Sequence, residues 1–181
     1  MRIIPSALPG VLILEPQVFE DERGFFMESY NARELAERAG ITAQFVQDNH
    51  SRSAKNVLRG LHYQIRQAQG KLVRVTAGEI YDVAVDIRRS SPAFGRWSAD
   101  RLSAANRRIL WIPPGFAHGF LVVSDHAEVQ YKTTDYWAPQ HERTILWNDP
   151  ALAIPWPLEG EPILSAKDRA GVPLERAECF P

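Results

Sequence analysis

In the stretch LRGLHYQ, residues 58 to 64, an arginine and a histidine stand three apart, with a tyrosine beside the histidine. A strand built only for packing has no need of a cation and a titratable ring so close together. In a regular strand Gly60, His62 and Gln64 face one way and Arg59, Leu61 and Tyr63 the other. Gly60 permits a bulge, which could bring Arg59 and His62 to one site. Taken alone, His62 reads as a satisfied core or edge histidine.

Other groups make it worth more. His118 follows a Pro-x-Gly turn in PPGFAHGF. Lys71 opens the apolar run KLVRV, and Tyr131 lies in EVQYKTTDYW. An unperturbed histidine, with a pKa of about 6.5, is a usable base at neutral pH, and a tyrosine at about 10 is still a proton donor. A lysine cation can hold a developing oxyanion. Base, acid and cation are the parts needed to remove a proton next to a ketone and return one to the other face. Each also has a plain reading, Tyr131 as a strand aromatic and Lys71 as a solvated lysine at a strand start. A carboxylate would orient His62 and stabilise its protonated form. Asp168 and Asp82 are both candidates that spacing does not rank. Asp168 reads equally as a helix cap and Asp82 as an outward strand carboxylate.

A second set suits an anion. In FEDERGFFMESY, Arg23 precedes Gly24 and two phenylalanines. With Arg59 it makes a pair of guanidinium forks suited to a diphosphate, beside aromatic surfaces suited to a base or sugar. QDNHS, residues 47 to 51, offers short amides for a pyrimidine edge, or simply a polar turn.

The elements that must hold these groups are mostly strands. GVLILEP, GFFMESY, RRILWIPPGF, HGFLVVS and HAEVQYKTTDYW read as short strands with turn residues between them. KLVRVTAGEIYDVAVDIR reads as two strands joined as a hairpin through Ala77-Gly78-Glu79. In the second, Tyr81, Val83, Val85 and Ile87 share one face, with Asp82, Ala84, Asp86 and Arg88 on the other. Many short strands predict an all-β antiparallel jelly roll or cupin-type barrel with few short helices. NARELAERAG predicts the one good helix, with Asn31 as cap, Glu34 completing a capping box and Gly40 at the end. SAKD, residues 165 to 168, predicts a single capped turn in a proline-rich tail.

At 181 residues with 45% hydrophobic content, the chain fits one domain, residues 1 to 181, with a sizeable core. A formal net charge of −1, with both signs interleaved, argues against nucleic-acid and membrane-surface partners. There is no apolar run near the ~20 residues of a membrane span and no clean signal-peptide core. The one cysteine, Cys179, allows no internal disulfide, which suits a cytoplasmic location.

The Pro-x-Gly-x-x-His pattern from Pro113 to His118 resembles the second motif of cupin barrels. Where the first cupin motif has His-x-His and then a glutamate, this chain has His62-Tyr63-Gln64 and no glutamate before Glu79. Lys71 stands nearest to the missing ligand, and a protonated lysine does not bind a metal. Two histidines without a carboxylate are a poor metal set. The expectation is a cupin-type pocket whose metal ligands have given way to acid–base groups.

Longer stretches carry a more specific likeness. DERGFFMESY, FVQDNHSRSAKNVLRGLHYQ, QGKLVRVTAGEIYDVAVDIRRSSPAFGRW, LWIPPGFAHGFLV, EVQYKTTDYWAPQHERTILWNDPALAIPWP and LSAKDR run nearly end to end. In this set the chain resembles the dTDP-4-dehydrorhamnose 3,5-epimerase family. The resemblance implies a homodimeric jelly roll without metal or organic cofactor. It acts on a dTDP-4-keto-6-deoxyhexose at C3 and C5, through enolates of the C4 ketone. It implies His62 as base paired with Asp168, Tyr131 as acid on the opposite face, and Lys71 at the enolate oxygen. His118 would line the sugar site with Asp82 orienting it. Arg23, Glu28, Gln47, Asp48, Asn49 and Arg59 would hold the nucleotide or diphosphate, with Glu142 and Lys167 adding contacts, some across the dimer. Tyr136-Trp137 departs from the two tyrosines of many members; Trp137 keeps the ability to stack and loses a hydroxyl. The loop YQIRQAQG is about one residue shorter than in some members, which is expected to change a turn and not the chemistry. A single-carbon epimerase of a related deoxysugar pathway would look similar. A metal-dependent cupin enzyme and a non-catalytic sugar-nucleotide binder are the more distant readings.

Overall fold

The computed structural model describes residues 1–181. Thirteen strands form: β1 (Arg2–Pro5), β2 (Leu12–Glu15), β3 (Val18–Asp21), β4 (Gly24–Met27), β5 (Gln47–Ala54), β6 (Leu58–Gln64), β7 (Lys71–Ala77), β8 (Glu79–Asp86), β9 (Trp97–Ser103), β10 (Ile109–Ile112), β11 (Phe116–Val122), β12 (His126–Thr133) and β13 (Glu142–Thr144). One sheet has the order β1-β2-β10-β7-β12-β5, the other β13-β6-β11-β8-β9, and β3–β4 is a separate ribbon. The strand pairings within the sheets are antiparallel. Val73, Val75, Leu110, Ile112 and Val129 of the first sheet meet Ile80, Ala84, Leu102, Phe116 and Phe120 of the second in one apolar core. The expected all-β jelly roll is what forms.

Three expectations need correction, two in the strands and one at a helix cap. Ala77-Gly78-Glu79 is not a hairpin, because β7 and β8 lie in different sheets. Gly78, at φ +71°, turns the chain from one sheet to the other, and a Cβ there would stand 1.9 Å from the His126 carbonyl oxygen. The second concerns β8. Its Val83 and Val85, with Ile87 just beyond the strand, pack beneath Ile145, Leu152, Ile154 and Leu174 of the C-terminal segment. Both faces of β8 are therefore buried, and Asp82 and Asp86, at 0% exposure, point inward rather than to solvent.

Helix α1 (Ala32–Ala39) covers the outer face of the six-stranded sheet, with Leu35 against Leu14, Leu72, Ile109 and Trp111. Asn31 caps it by accepting from the amides of Arg33 and Glu34, and Gly40 closes it at φ +66°. The capping box is only half made: the Glu34 carboxylate turns to Arg38 at 2.7 Å instead of to the cap. In α2 (Ala166–Arg169) the box is complete between Ser165 and Asp168. No helix is long and apolar enough to cross a membrane.

Candidate active site

A cleft of about 370 Å³ opens between the sheets. The five-stranded sheet contributes Arg59 and His62 of β6, His118 and Phe120 of β11 and Glu142 of β13. The six-stranded sheet contributes Gln47, Asn49 and Ser51 of β5, Lys71 of β7 and Tyr131 of β12. Gln69, Trp137 and Lys167 complete the lining from loops and α2. His62 and Tyr131 thus stand on opposite walls.

The bulge at Gly60 sets the β6 wall. Arg59 pairs with Phe120 and His62 with His118, so Gly60 and Leu61 together oppose Gly119 alone. Gly60 has φ +137°, and a Cβ there would lie 2.5 Å from the Gly119 Cα. Glycine is the residue that allows this approach. The extra residue brings Arg59 and His62 to the same cleft while Leu61 and Tyr63 stay in the apolar layer behind.

His62 Nε2 donates to Asp168 Oδ1 at 2.6 Å. Asp168 is 2% exposed and takes further bonds from the Gly60 amide at 3.1 Å and from the Ser165 hydroxyl at 2.5 Å and amide at 3.2 Å. Burial raises the Asp168 carboxyl. The bonds from His62, Ser165 and Gly60 overcome it and hold the group well below the usual carboxylate range. An ionised carboxylate only accepts, so the Nε2 proton is fixed and the Nδ1 lone pair is left free. Burial pushes His62 below its ordinary value, against the pull of Asp168, with Lys167 and Lys71 adding to the lowering. The ring is neutral at pH 7. Asp82 serves the other histidine: His118 Nε2 donates to its two oxygens at 2.8 and 2.9 Å.

Burial pushes Lys71 down to about 8, opposed by Asp82 and Glu142. It makes no ion pair or side-chain hydrogen bond, so its charge is available to a ligand. Burial raises Tyr131, against Arg59, and keeps it protonated. Arg59 is braced by Ser53, its Nε and Nη2 donating to Oγ at 3.1 and 3.0 Å, and no carboxylate neutralises it. Lys167 pairs with Glu142 at 2.8 Å on the rim.

Four expected residues stand elsewhere. Asp48 alternates to the outer face of β5, where it takes Lys132 at 2.9 Å beside a separate hollow. Tyr136, at 61% exposure, does not line the cleft, although Trp137 does. Arg23 lies on the exposed β3–β4 ribbon bonded to Asp21, and Glu28 accepts from Asn31 near α1. Three lining residues escaped the sequence reading. Ser51 continues the period-2 alternation of Gln47 and Asn49, and Phe120 that of His118, so both were findable. Gln69 lies in a loop and gave no signal. Ser51 Oγ is buried without a hydrogen-bond partner at the cleft.

No three His, Cys, Asp or Glu side chains converge as metal ligands would. His62 and His118 are each committed to a carboxylate instead. The arrangement offers a neutral base, a facing phenol, two carboxylate-oriented histidines, a lysine cation and an uncompensated guanidinium in one cleft.

Against known proteins, the model of the dTDP-4-dehydrorhamnose 3,5-epimerase family matches residues 5–176. The dTDP-4-dehydrorhamnose 3,5-epimerase of Pseudomonas aeruginosa is 63% identical over 181 residues, covering 100% of both chains. Among solved structures, the dTDP-6-deoxy-D-glucose-3,5-epimerase of Legionella pneumophila, in complex with dTDP-4-keto-L-rhamnose, has a TM-score of 0.96 at 54% identity, covering 98% of this chain and 94% of its own. The 3'-monoepimerase ChmJ of Streptomyces bikiniensis, in complex with dTDP-quinovose, has a TM-score of 0.89 at 31% identity, covering 94% and 87%. The match spans the cleft and every strand that lines it, and the chain belongs to the dTDP-4-dehydrorhamnose 3,5-epimerase family.

Proposed function

We propose that the protein is a dTDP-4-dehydrorhamnose 3,5-epimerase. It inverts C3 and C5 of dTDP-4-keto-6-deoxy-D-glucose on the way to dTDP-L-rhamnose. The observation that carries this is the placing of His62 and Tyr131 on opposite walls with Lys71 in the same cleft. His62 Nδ1 takes the proton from the carbon next to the ketone, and the electron pair moves onto the ketone oxygen. Lys71 holds that enolate oxygen. As the carbonyl re-forms, the carbon takes a proton from the Tyr131 hydroxyl on the other face. Tyrosinate recovers a proton from solvent and the imidazolium returns its own. The cycle runs once at each carbon. General acid–base groups supply about 10²–10⁴-fold and an oxyanion contact about 10²–10³-fold, so the weakly acidic carbon needs both. Asp168 holds His62 in the required tautomer, and Asp82 does the same for His118 at the sugar.

Arg59, with Gln47, Asn49, Glu142 and Lys167, takes the diphosphate and nucleotide, and Trp137 stacks at the mouth. No metal or organic cofactor enters this scheme. The 181 residues act as one domain in a cytoplasmic homodimer. Phe19, Phe25 and Phe26 of the ribbon are 56%, 56% and 67% exposed, an apolar surface suited to a second copy. In that assembly the partner brings its ribbon, with Arg23 and Glu28, to the nucleotide end.

The likeness to a 3'-monoepimerase keeps a single-carbon epimerase as second reading. Product analysis at C3 and C5 with a trapping reductase separates them. His62→Ala should lower turnover by about 10²–10⁴-fold with dTDP affinity retained. Unchanged turnover would remove His62 from the reaction, and stoichiometric metal essential to activity would overturn the cofactor-free scheme.

A further inference from the structure

Gln64 lies two residues beyond the base on β6 and is 4% exposed. A buried amide must find partners, and this one finds three. Its Nε2 donates to the Gln67 carbonyl at 2.7 Å and to the Tyr136 carbonyl at 3.2 Å, and its Oε1 accepts from the Ala138 amide at 2.8 Å. The bonds fasten β6 to two segments that form one rim of the cleft. One leads through Gln69 to Lys71. The other carries Trp137.

The rim is fastened in turn to the six-stranded sheet's wall of the cleft. The Trp137 amide donates to Gln47 Oε1 at 3.0 Å, and Gln47 Nε2 donates to Asn49 Oδ1 at 2.9 Å. Trp137 is 59% exposed, so the placing of its ring depends on its backbone. The chain of amides runs from Gln64 through residues 136–138 to Gln47 and Asn49. Each link is a bond between two groups of this chain. Gln64 itself does not line the cleft.

We propose that Gln64 is a positioning residue for nucleotide-sugar binding, holding the Trp137 platform and the Gln47–Asn49 amides in their ligand-ready arrangement. The proposal rests on the substrate reading given above. Its physical content is preorganisation: a rim fixed by Gln64 has less ordering left to do when the nucleotide docks. His62, Lys71 and Tyr131 make no bond to Gln64, so the chemical step itself should be little affected.

The test is Gln64→Glu, which keeps the shape and the acceptor for Ala138 but leaves at most one donor for the two carbonyls, and none when the carboxyl is ionised. Calorimetry with dTDP should show binding weakened by about tenfold, the scale of one or two lost buried bonds. KM should rise in parallel with kcat at saturation nearly unchanged. Trp137→Ala should also weaken dTDP binding, and the double variant should lose less than the product of the two single effects, because both act through one rim. Unchanged dTDP affinity in Gln64→Glu, a multiplicative double variant, or a loss confined to kcat would each overturn the proposal. If Gln64→Glu does not fold, Gln64→Met, of similar volume and with none of these bonds, takes its place. Amide hydrogen exchange in the wild-type protein decides independently. Protection of the Trp137 and Ala138 amides without ligand is expected, and exchange at the rate of free chain would refute a preset rim. A wild-type protein that binds no dTDP would instead sink the substrate reading.

Discussion

Each side chain proposed to react is tuned by what surrounds it, and the tuning has a sign. His62 must be neutral to accept a proton, and burial lowers it below its ordinary 6.5. Activity should therefore rise with pH on a limb centred below that value. Lys71 must be charged to hold an enolate, and burial brings it to about 8. Activity should fall as pH passes through that region and the ammonium loses its proton. The kcat/KM profile should be bell-shaped between these limits. Lys71→Arg should move the alkaline limb upward, since a guanidinium stays charged. Lys71→Met should lower kcat by about 10²–10³-fold. An alkaline limb unmoved in Lys71→Arg would mean that another group titrates there. At this scale His62, Tyr131 and Lys71 were readable as a base, an acid and a cation from residue type. Asp168 was not readable as the partner of His62 without the family resemblance, because 106 positions separate them and a capping aspartate looks like any other. Both roles turn out to be one: the capping box that fixes Ser165 to Asp168 also orients the carboxylate toward His62.

Among elements, β6 and β8 show what period-2 alternation can and cannot reveal. Alternation gave the strands, and the glycine in LRGLHYQ gave the bulge. It could not say which sheet a strand joins, so the β7–β8 connection read as a hairpin when it crosses between sheets. Nor could it say that β8 is covered on both sides, because the covering residues, from Ile145 to Ala177, lie in segments with little periodicity. The bulge itself is testable. Gly60→Ala adds a Cβ 2.5 Å from the Gly119 Cα at φ +137°, with strain of about 1–3 kcal/mol from the backbone alone. Thermal unfolding should shift down, and activity should fall further than Arg59→Ala alone because Arg59 and His62 are re-aimed together. A variant with wild-type melting temperature and turnover would show that the bulge does not set the site.

For the whole molecule, two sheets enclose a cleft that one chain fills with base, acid and cation, while Arg23 and Glu28 stay outside it. The exposed phenylalanines of the β3–β4 ribbon are what supports the proposed homodimer. Phe26→Asp should weaken self-association and raise KM for the nucleotide sugar, read by light scattering and steady-state kinetics. Arg23→Ala should raise KM with the dimer intact. Monomeric wild-type protein with full activity would refute a partner's contribution.

The central claim is that protons are removed from both carbons flanking the ketone. The direct measurement is proton NMR of dTDP-4-keto-6-deoxyglucose incubated with the protein in D₂O. Loss of the C3 and C5 signals with the wild-type protein, and persistence of both with His62→Ala, is the predicted result. Exchange at one carbon only would make the protein a single-site epimerase, and exchange at neither, in folded protein, would contradict the account.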